Sequence, residues 1–358
     1  MDIEKRIELI KSVAEGGEII TEEELRKLLE TNEHPVAYDG FEPSGLAQIP
    51  FGLLRAENLK SMLKAGVKFK LYLADYFAFI NNKMGGDLER IQRAGKYFIE
   101  VWKACGIDIK NVEVIWASEI MDKLEYWDRV LKIAKETTIN RSIRATTIMG
   151  RKEGELQSTA QLFYPSMQTA DIFDLDVDIC QLGLDQRRAN ILGREVAEKL
   201  KWKKPVAVHH HMIIGLQGMQ KGGNEDETLL ASKMSKSKPE TCIYMHDSEE
   251  DIKRKINKAF CPEKTMEGNP IFDYLKFLIF KRYNEIKIER DKKFGGDLNA
   301  DYKELEKIYS EGRLHPADLK NATAFYLNEM ISPVRKYFET NKKAKELYEE
   351  IKGYAITR

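Results

Sequence analysis

Between residues 36 and 215 strand-like and helix-like stretches alternate, and no other feature of the chain limits its fold as tightly. Residues 36–40, 67–74 and 112–117 read as extended, with helical patterns over 50–65 and 88–105 between them. Strands spaced by helices of that length predict a parallel sheet with right-handed crossovers. The first helix is punctuated at both ends, by Pro50 in its first turn and by Gly66 just past its last. A mostly helical pattern over 122–163 then reads as an insertion between two halves of the sheet. Strand, helix and strand return at 177–181, 187–200 and 205–215. A doubly wound α/β sheet of this kind takes its ligand at the carboxyl ends of the strands, where strand order reverses.

The flanks differ in texture. Residues 3–14 and 22–29 read as amphipathic helices, the second opened by a Thr21–Glu24 capping box. From Glu249 onward, charged amphipathic helices at 252–259, 271–280, 305–309, 319–338 and 344–352 follow one another on short connections. The change predicts a boundary near residue 240, between an α/β domain over 1–240 and an α-helical domain over 241–358.

Lys+Arg and Asp+Glu both number 58 in the 358 residues, so a nucleic-acid partner would have to be held by local basic patches. Cys105, Cys180, Cys242 and Cys261 are far apart and form no C-x-x-C pair, which predicts buried thiols in a reducing cytosol. No run approaches the ~18 apolar residues of a membrane span, so a soluble cytoplasmic protein is expected.

The sharpest chemistry lies in Lys233-Met234-Ser235-Lys236-Ser237. Two compact positive charges on a polar loop that can close suit a phosphate chain whose negative charge grows during reaction. Two lysines three apart are usually a solvated turn; the full pentad is far more specific. Neither G-x-G-x-x-G nor G-x-x-x-x-G-K-[ST] occurs, so a nucleotide must be held by other groups. In Tyr164-Pro165-Ser166-Met167-Gln168-Thr169-Ala170-Asp171, a helix begun at Pro165 would set Tyr164, Gln168 and Asp171 on one face, as a pocket wall or as a capped surface helix. Gln186, in Gly183-Leu184-Asp185-Gln186-Arg187-Arg188, falls at a strand-to-helix turn from which it can point into the cleft. His209-His210-His211 would set two imidazoles on one strand face, but no further ligand is near in sequence and no metal site is expected.

Together these motifs resemble tyrosyl-tRNA synthetases of the archaeal and eukaryotic type, class I aminoacyl-tRNA synthetases whose signature loop is K-M-S-K-S. The resemblance covers nearly the whole chain. The family pattern Y-P-x-M-Q-x-x-D followed by G-x-D/E-Q-R is met at Tyr164 to Asp171 and Gly183 to Arg187. The strand tyrosine ahead of G-F-E-x-S-G is met by Tyr38 before Gly40-Phe41-Glu42-Pro43-Ser44-Gly45. Phe294-Gly295-Gly296-Asp297 and the run from His315 to Ala322 match two further family motifs.

The resemblance implies a tyrosine–tRNA ligase with a Rossmann-like catalytic domain, a helical insertion near 120–163 and an α-helical anticodon-binding domain. It implies that Tyr38 and Asp171 bind the substrate phenol, and that Tyr164, Gln168 and Gln186 hold its α-ammonium. Lys233, Lys236 and Gln48 would do the catalytic phosphate work, with Gly40 and Ser235 joining them at ATP. Arg187 and Arg188 would lie near the acceptor end of the tRNA, and Phe294 and Asp318 at the anticodon. The implied partners are L-tyrosine, ATP with Mg2+, tRNA(Tyr) and a second copy in a homodimer, with no tightly bound cofactor and no membrane. Two departures stand out. The family's H-I-G-H falls on Gln48, Ile49, Pro50 and Phe51, and Phe77 replaces the histidine of L-A-D-x-H. Two alternatives stay open: a tryptophanyl enzyme, against which Tyr38 and Asp171 argue, and a paralogue that binds tyrosine and tRNA without adenylation.

Overall fold

The computed structural model describes residues 1–150, 156, 158–236 and 238–354. Helix α1 (Ile3–Val13), strand β1 (Glu18–Ile20) and helix α2 (Glu22–Thr31) lead into strand β2 (Val36–Phe41). The capping box at α2 forms, Thr21 accepting from Glu24 N while the Glu24 carboxylate accepts from Thr21 N. Helix α3 (Arg55–Lys64), strand β3 (Lys68–Leu73), helices α4 (Asp75–Ile80) and α5 (Leu88–Ala104) and strand β4 (Glu113–Trp116) follow. Helices α6 (Ala117–Met121), α7 (Leu124–Glu136) and α8 (Ile139–Ala145) fill most of the insertion; its residues 151–155 and 157 lie outside the described residues. Helix α9 (Ala160–Asp174), strand β5 (Ile179–Gly183), helix α10 (Arg187–Leu200) and strand β6 (Val206–His210) complete the alternation.

The described residues form a six-stranded sheet in the order β1-β6-β5-β2-β3-β4, parallel except for β1, which lies antiparallel on β6. β3 lies on one side of β2 and β5 on the other, so strand order reverses there and the carboxyl ends at Phe41 and Gly183 flank a crevice. Alternation along β2 feeds two cores. Ala37 and Phe41 pack with α1, α3 and α5, whereas Tyr38 joins Tyr72, Tyr126 and Met167 on the opposite face.

Two expectations are corrected. Residues 50–65 are not one α-helix, because Pro50–Leu54 form a π-helical turn ahead of α3. Pro50 brings no N–H to that turn, and such wider turns recur at functional sites. Nor does Pro165 begin α9, which starts at Ala160. The missing Pro165 N–H would have bonded the Gln161 carbonyl; with only that one bond lost just past the first turn, the helix continues. Tyr164, Gln168 and Asp171 still share a face.

After β6, helix α11 (Glu225–Ser232) precedes the lysine loop. Helices α12 (Glu249–Lys258) and α13 (Pro270–Phe277) then lead to an antiparallel ribbon of β7 (Ile286–Ile288) and β8 (Leu298–Ala300). Helices α14 (Tyr302–Ser310), α15 (Pro316–Thr340) and α16 (Lys342–Lys352) close the chain. Strands of three residues, such as β1, β7 and β8, show too few periods to be read from sequence. One apolar core runs past residue 240, from Ile7 through Trp102 to Ile351. Polar ties across it include the Arg93–Glu350 ion pair and a Tyr337 Oη to Glu100 hydrogen bond of 2.6 Å. No helix among the described residues is long and apolar enough to cross a membrane.

Candidate active site

A cavity of about 920 Å³ opens at the carboxyl ends of β2 and β5. Tyr38, Gly40, Gln48, Tyr164, Gln168, Asp171, Gln186, Lys233, Ser235 and Lys236 all line it. Asp171 is buried, and its Oδ1 accepts from Tyr72 Oη at 3.0 Å and Tyr126 Oη at 3.1 Å. The Tyr38 hydroxyl is buried with no hydrogen-bond partner. Burial pushes the Asp171 carboxyl well above the usual carboxylate range, against the two phenol donations that lower it. Burial likewise pushes up the phenols of Tyr38, Tyr72 and Tyr126. The cluster offers an incoming hydroxyl both an acceptor and an unsatisfied partner.

One helical turn back along α9, Gln168 Nε2 donates to Gln186 Oε1 at 3.0 Å, and Gln186 Nε2 donates to the Ile148 carbonyl at 3.1 Å. Gln168 Oε1 is left buried and unpaired, an acceptor that suits a cationic group. Tyr164 Oη donates to Glu42 at 2.6 Å. Phe77 meets the Tyr164 ring edge-on at 4.8 Å, so the residue in the family's histidine position packs the pocket floor.

The lysine loop comes down on the same cavity. Lys233 Nζ lies 3.1 Å from Asp185, and Lys236 Nζ donates to Ser44 at its carbonyl (2.9 Å) and Oγ (3.1 Å). Burial, and then the nearby Lys83 charge, bring the Lys236 ammonium down to about 7. Burial pushes Asp185 up, but Lys233, Arg55 and a hydrogen bond with Gln186 together outweigh it and leave that carboxyl below its ordinary value. Asp39, paired with Arg55, is still pushed up to about 6 by burial. Gln48 is bridged through its backbone to Tyr244, and its amide nitrogen is buried without a partner. Phe51 packs into an aromatic cluster, its ring centroid 4.1 Å from Phe98, 5.1 Å from Trp102 and 5.3 Å from Phe41. Of the positions matching H-I-G-H, Gln48 alone offers a polar side chain.

Arg187 and Arg188 do not reach this cavity. They line a smaller one of about 260 Å³ beside Arg141 and Arg144, with Arg187 Nε donating to Glu18 at 2.6 Å and Arg188 to the Arg144 carbonyl at 2.6 Å. Phe294 and Asp318 line neither. Phe294 is 63% exposed in the turn Lys292–Phe294, and Asp318 sits in the first turn of α15 behind its N-cap His315. The histidine run is spent on structural contacts: His209 between Glu18 and Asn190, His210 on Gln181, and His211 on Asp273 at 2.7 Å.

Glu42, Ser44 and Asp185 lie inside motifs with a local signature, whereas no local pattern marks Tyr72 or Lys83 as cavity residues, or Tyr126 as a donor to Asp171. The model for class I tRNA synthetases (W and Y) matches residues 30–332. Cytoplasmic tyrosine–tRNA ligase 1 of Arabidopsis thaliana is 44% identical over all of this chain and 90% of its own length. The tyrosine–tRNA ligase of Saccharolobus solfataricus is 45% identical over all of this chain and 99% of its own. The crystal structure of a Pyrococcus horikoshii tyrosyl-tRNA synthetase complexed with L-tyrosine superposes with a TM-score of 0.89 at 41% identity, covering 98% of this chain and 100% of that one. With a Rossmann-like sheet and a cavity at its switch point, the chain thus belongs to the class I tRNA synthetases, among the tyrosine–tRNA ligases of archaea and eukaryotes.

Proposed function

We propose that this chain joins L-tyrosine to ATP as tyrosyl-adenylate and passes the tyrosyl group to the terminal ribose of tRNA(Tyr). The observation that carries the reading is a buried Asp171 beside an unpaired Tyr38 hydroxyl, in the cavity that Lys233 and Lys236 close. Tyr38 and Asp171 take the phenol, and Tyr164, Gln168 and Gln186 receive the ammonium. The tyrosine carboxylate attacks the α-phosphorus in line, the bond to the bridging oxygen breaks, and pyrophosphate leaves with its electron pair. Positioning and charge stabilisation suffice, without a protein nucleophile. Lys233 and Lys236 exchange Asp185 and Ser44 for the phosphates, while Gly40, Gln48 and Ser235 border the nucleotide. Mg2+ arrives with ATP, bound mainly through phosphate oxygens. The test is tyrosine-dependent ATP–pyrophosphate exchange by the unaltered chain. Exchange driven by tryptophan would replace the substrate, and tRNA binding without exchange would leave a binding paralogue.

Arg187 and Arg188, with two more arginines around the smaller cavity, suit the phosphates of a tRNA acceptor end. In the proposed anticodon-binding domain over 241–358, exposed Phe294 suits stacking on an unpaired base and Asp318 can accept from a guanine edge. A lost base contact costs about 1–3 kcal/mol, so Asp318→Ala should lower kcat/KM for charging about tenfold to a hundredfold and leave exchange intact. Equal loss of both activities would count against that role.

The homodimer reading draws on α7, where Leu124 (79%), Trp127 (40%) and Leu131 (62%) expose one apolar stripe. Light scattering should give twice the chain mass, and Leu131→Glu should shift it toward one chain; a single-chain mass for the unaltered protein would reject it. A cytoplasmic location fits the relatives named as cytoplasmic.

A further inference from the structure

One charged group on the cavity wall has no part in the reading above. Lys83 opens the turn Lys83–Gly86 between α4 and α5, where the backbone is left-handed at Asn82 (φ 60°), Met84 (φ 52°), Gly85 (φ 76°) and Gly86 (φ 72°). Residues other than glycine rarely adopt that conformation, so two of them flanking one lysine mean that the surroundings hold this turn against its local preference. The anchors are visible. Met84 is buried, and fully buried Asn81 donates to both Glu42 oxygens, at 3.2 and 3.1 Å, and to the Met149 carbonyl at 3.0 Å.

This frame brings Lys83 Nζ to 3.7 Å from Glu42, the same carboxylate that accepts from Tyr164. The pair is loose and partly solvated, so a more highly charged group can displace it cheaply. Lys83 is also near enough to Lys236 that its charge is, after burial, the main influence lowering that ammonium. Lysines from two separate segments, the turn after α4 and the loop after α11, therefore converge on one cavity.

We infer that Lys83 is a third phosphate-binding cation of the activation step, held on Glu42 until ATP arrives and then donating hydrogen bonds to the departing pyrophosphate. The inference rests on the tyrosine–ATP reading. It supplies what Pro50 and Phe51 cannot, since one lacks an N–H and the other is taken up in aromatic packing. Lys83 contributes only hydrogen bonds and charge; the bond that forms joins the tyrosine carboxylate to the α-phosphorus, the bond from the α-phosphorus to the bridging oxygen breaks, and its electron pair leaves with pyrophosphate. A purely structural Lys83 would instead balance Glu42 beneath Tyr164, and its loss would weaken tyrosine binding.

Lys83→Met and Lys83→Arg in the full chain separate these roles. Adenylate formation with tyrosine, ATP and Mg2+ should slow about a hundredfold in Lys83→Met, the effect of removing one preorganised donor from a developing charge. Tyrosine affinity should stay within about twofold, and transfer from preformed adenylate to tRNA should be unchanged, because pyrophosphate has already left. Lys83→Arg should recover most of the lost rate. An activation rate within about threefold of the parent in Lys83→Met, a parallel loss of tyrosine affinity, or an Lys83→Arg variant as slow as Lys83→Met would each overturn the inference. A parent without exchange would strike the tyrosine–ATP reading itself.

Discussion

Asp171→Asn should cut the preference for tyrosine over phenylalanine about a hundredfold, read as the ratio of the two kcat/KM values in pyrophosphate exchange. Tyr72 and Tyr126 already occupy Oδ1, and a bound phenol would add a third hydroxyl to this buried carboxylate. A buried hydrogen-bonding group left without its partner costs about 1–3 kcal/mol, and each 1.4 kcal/mol is a factor of ten. Phenylalanine never makes that bond, so its own kcat/KM should fall far less. The same substitution separates function from stability. Burial holds the folded pKa of Asp171 above the unfolded value, so the group costs nothing below the unfolded pKa and weakens the fold as pH rises through the folded one. Asparagine keeps the shape and an acceptor for Tyr72 and Tyr126 without the charge. At pH 8 the variant should therefore melt no lower than the parent while losing discrimination. An unchanged ratio would move the phenol reader to another group in the cavity.

How much of this site was legible in the sequence depended on whether each residue's meaning was local. Asp171, Gln168 and Tyr164 were legible because helical spacing carries them to one face wherever α9 begins, so misplacing its start at Pro165 cost nothing at the site. Tyr72 and Tyr126 were not, since they reach Asp171 across 99 and 45 residues of chain and look like ordinary core aromatics where they stand. The sheet was legible from its alternation, but β1, β7 and β8 owe their existence to partners rather than to their own pattern. Lys83 shows the limit most plainly. A lysine beside Met84 and two glycines reads as a solvated turn, and only the buried Asn81 and Met84 show that the turn is held in place.

The H-I-G-H positions illustrate the converse, because type alone suggested a simple loss. Phe51 fills a wall shared with Phe98, Trp102 and Phe41, and Lys236 Nζ lies 5.8 Å from the centroid of Phe98. The aromatic wall thus bounds the side of the cavity where the second signature lysine rests. A histidine restored at Phe51 would lose that packing before it could serve a phosphate.

Lys236→Met should slow adenylate formation on the order of a thousandfold, because it removes a buried, preorganised cation whose place neither Pro50 nor Phe51 can take. The pH dependence of ATP binding in the parent gives an independent check. Lys236 Nζ faces Lys83, Lys233, Glu42 and Cys242 as well as Ser44, and burial followed by the Lys83 charge brings it down to about 7 in the empty site. Bound phosphate favours the charged form, so above that value ATP binding must return a proton to the lysine. Each pH unit beyond it adds about 1.4 kcal/mol to that requirement. ATP affinity should accordingly be flat just below pH 7 and weaken about tenfold per unit between about 7.5 and 9, with proton uptake visible by calorimetry in buffers of different ionisation enthalpy. In Lys236→Met both the slope and the uptake should vanish, although the affinity is lower throughout. The same slope persisting in the variant would place the titrating group elsewhere, and a flat profile in the parent would mean that Lys236 stays charged in the empty site despite its burial.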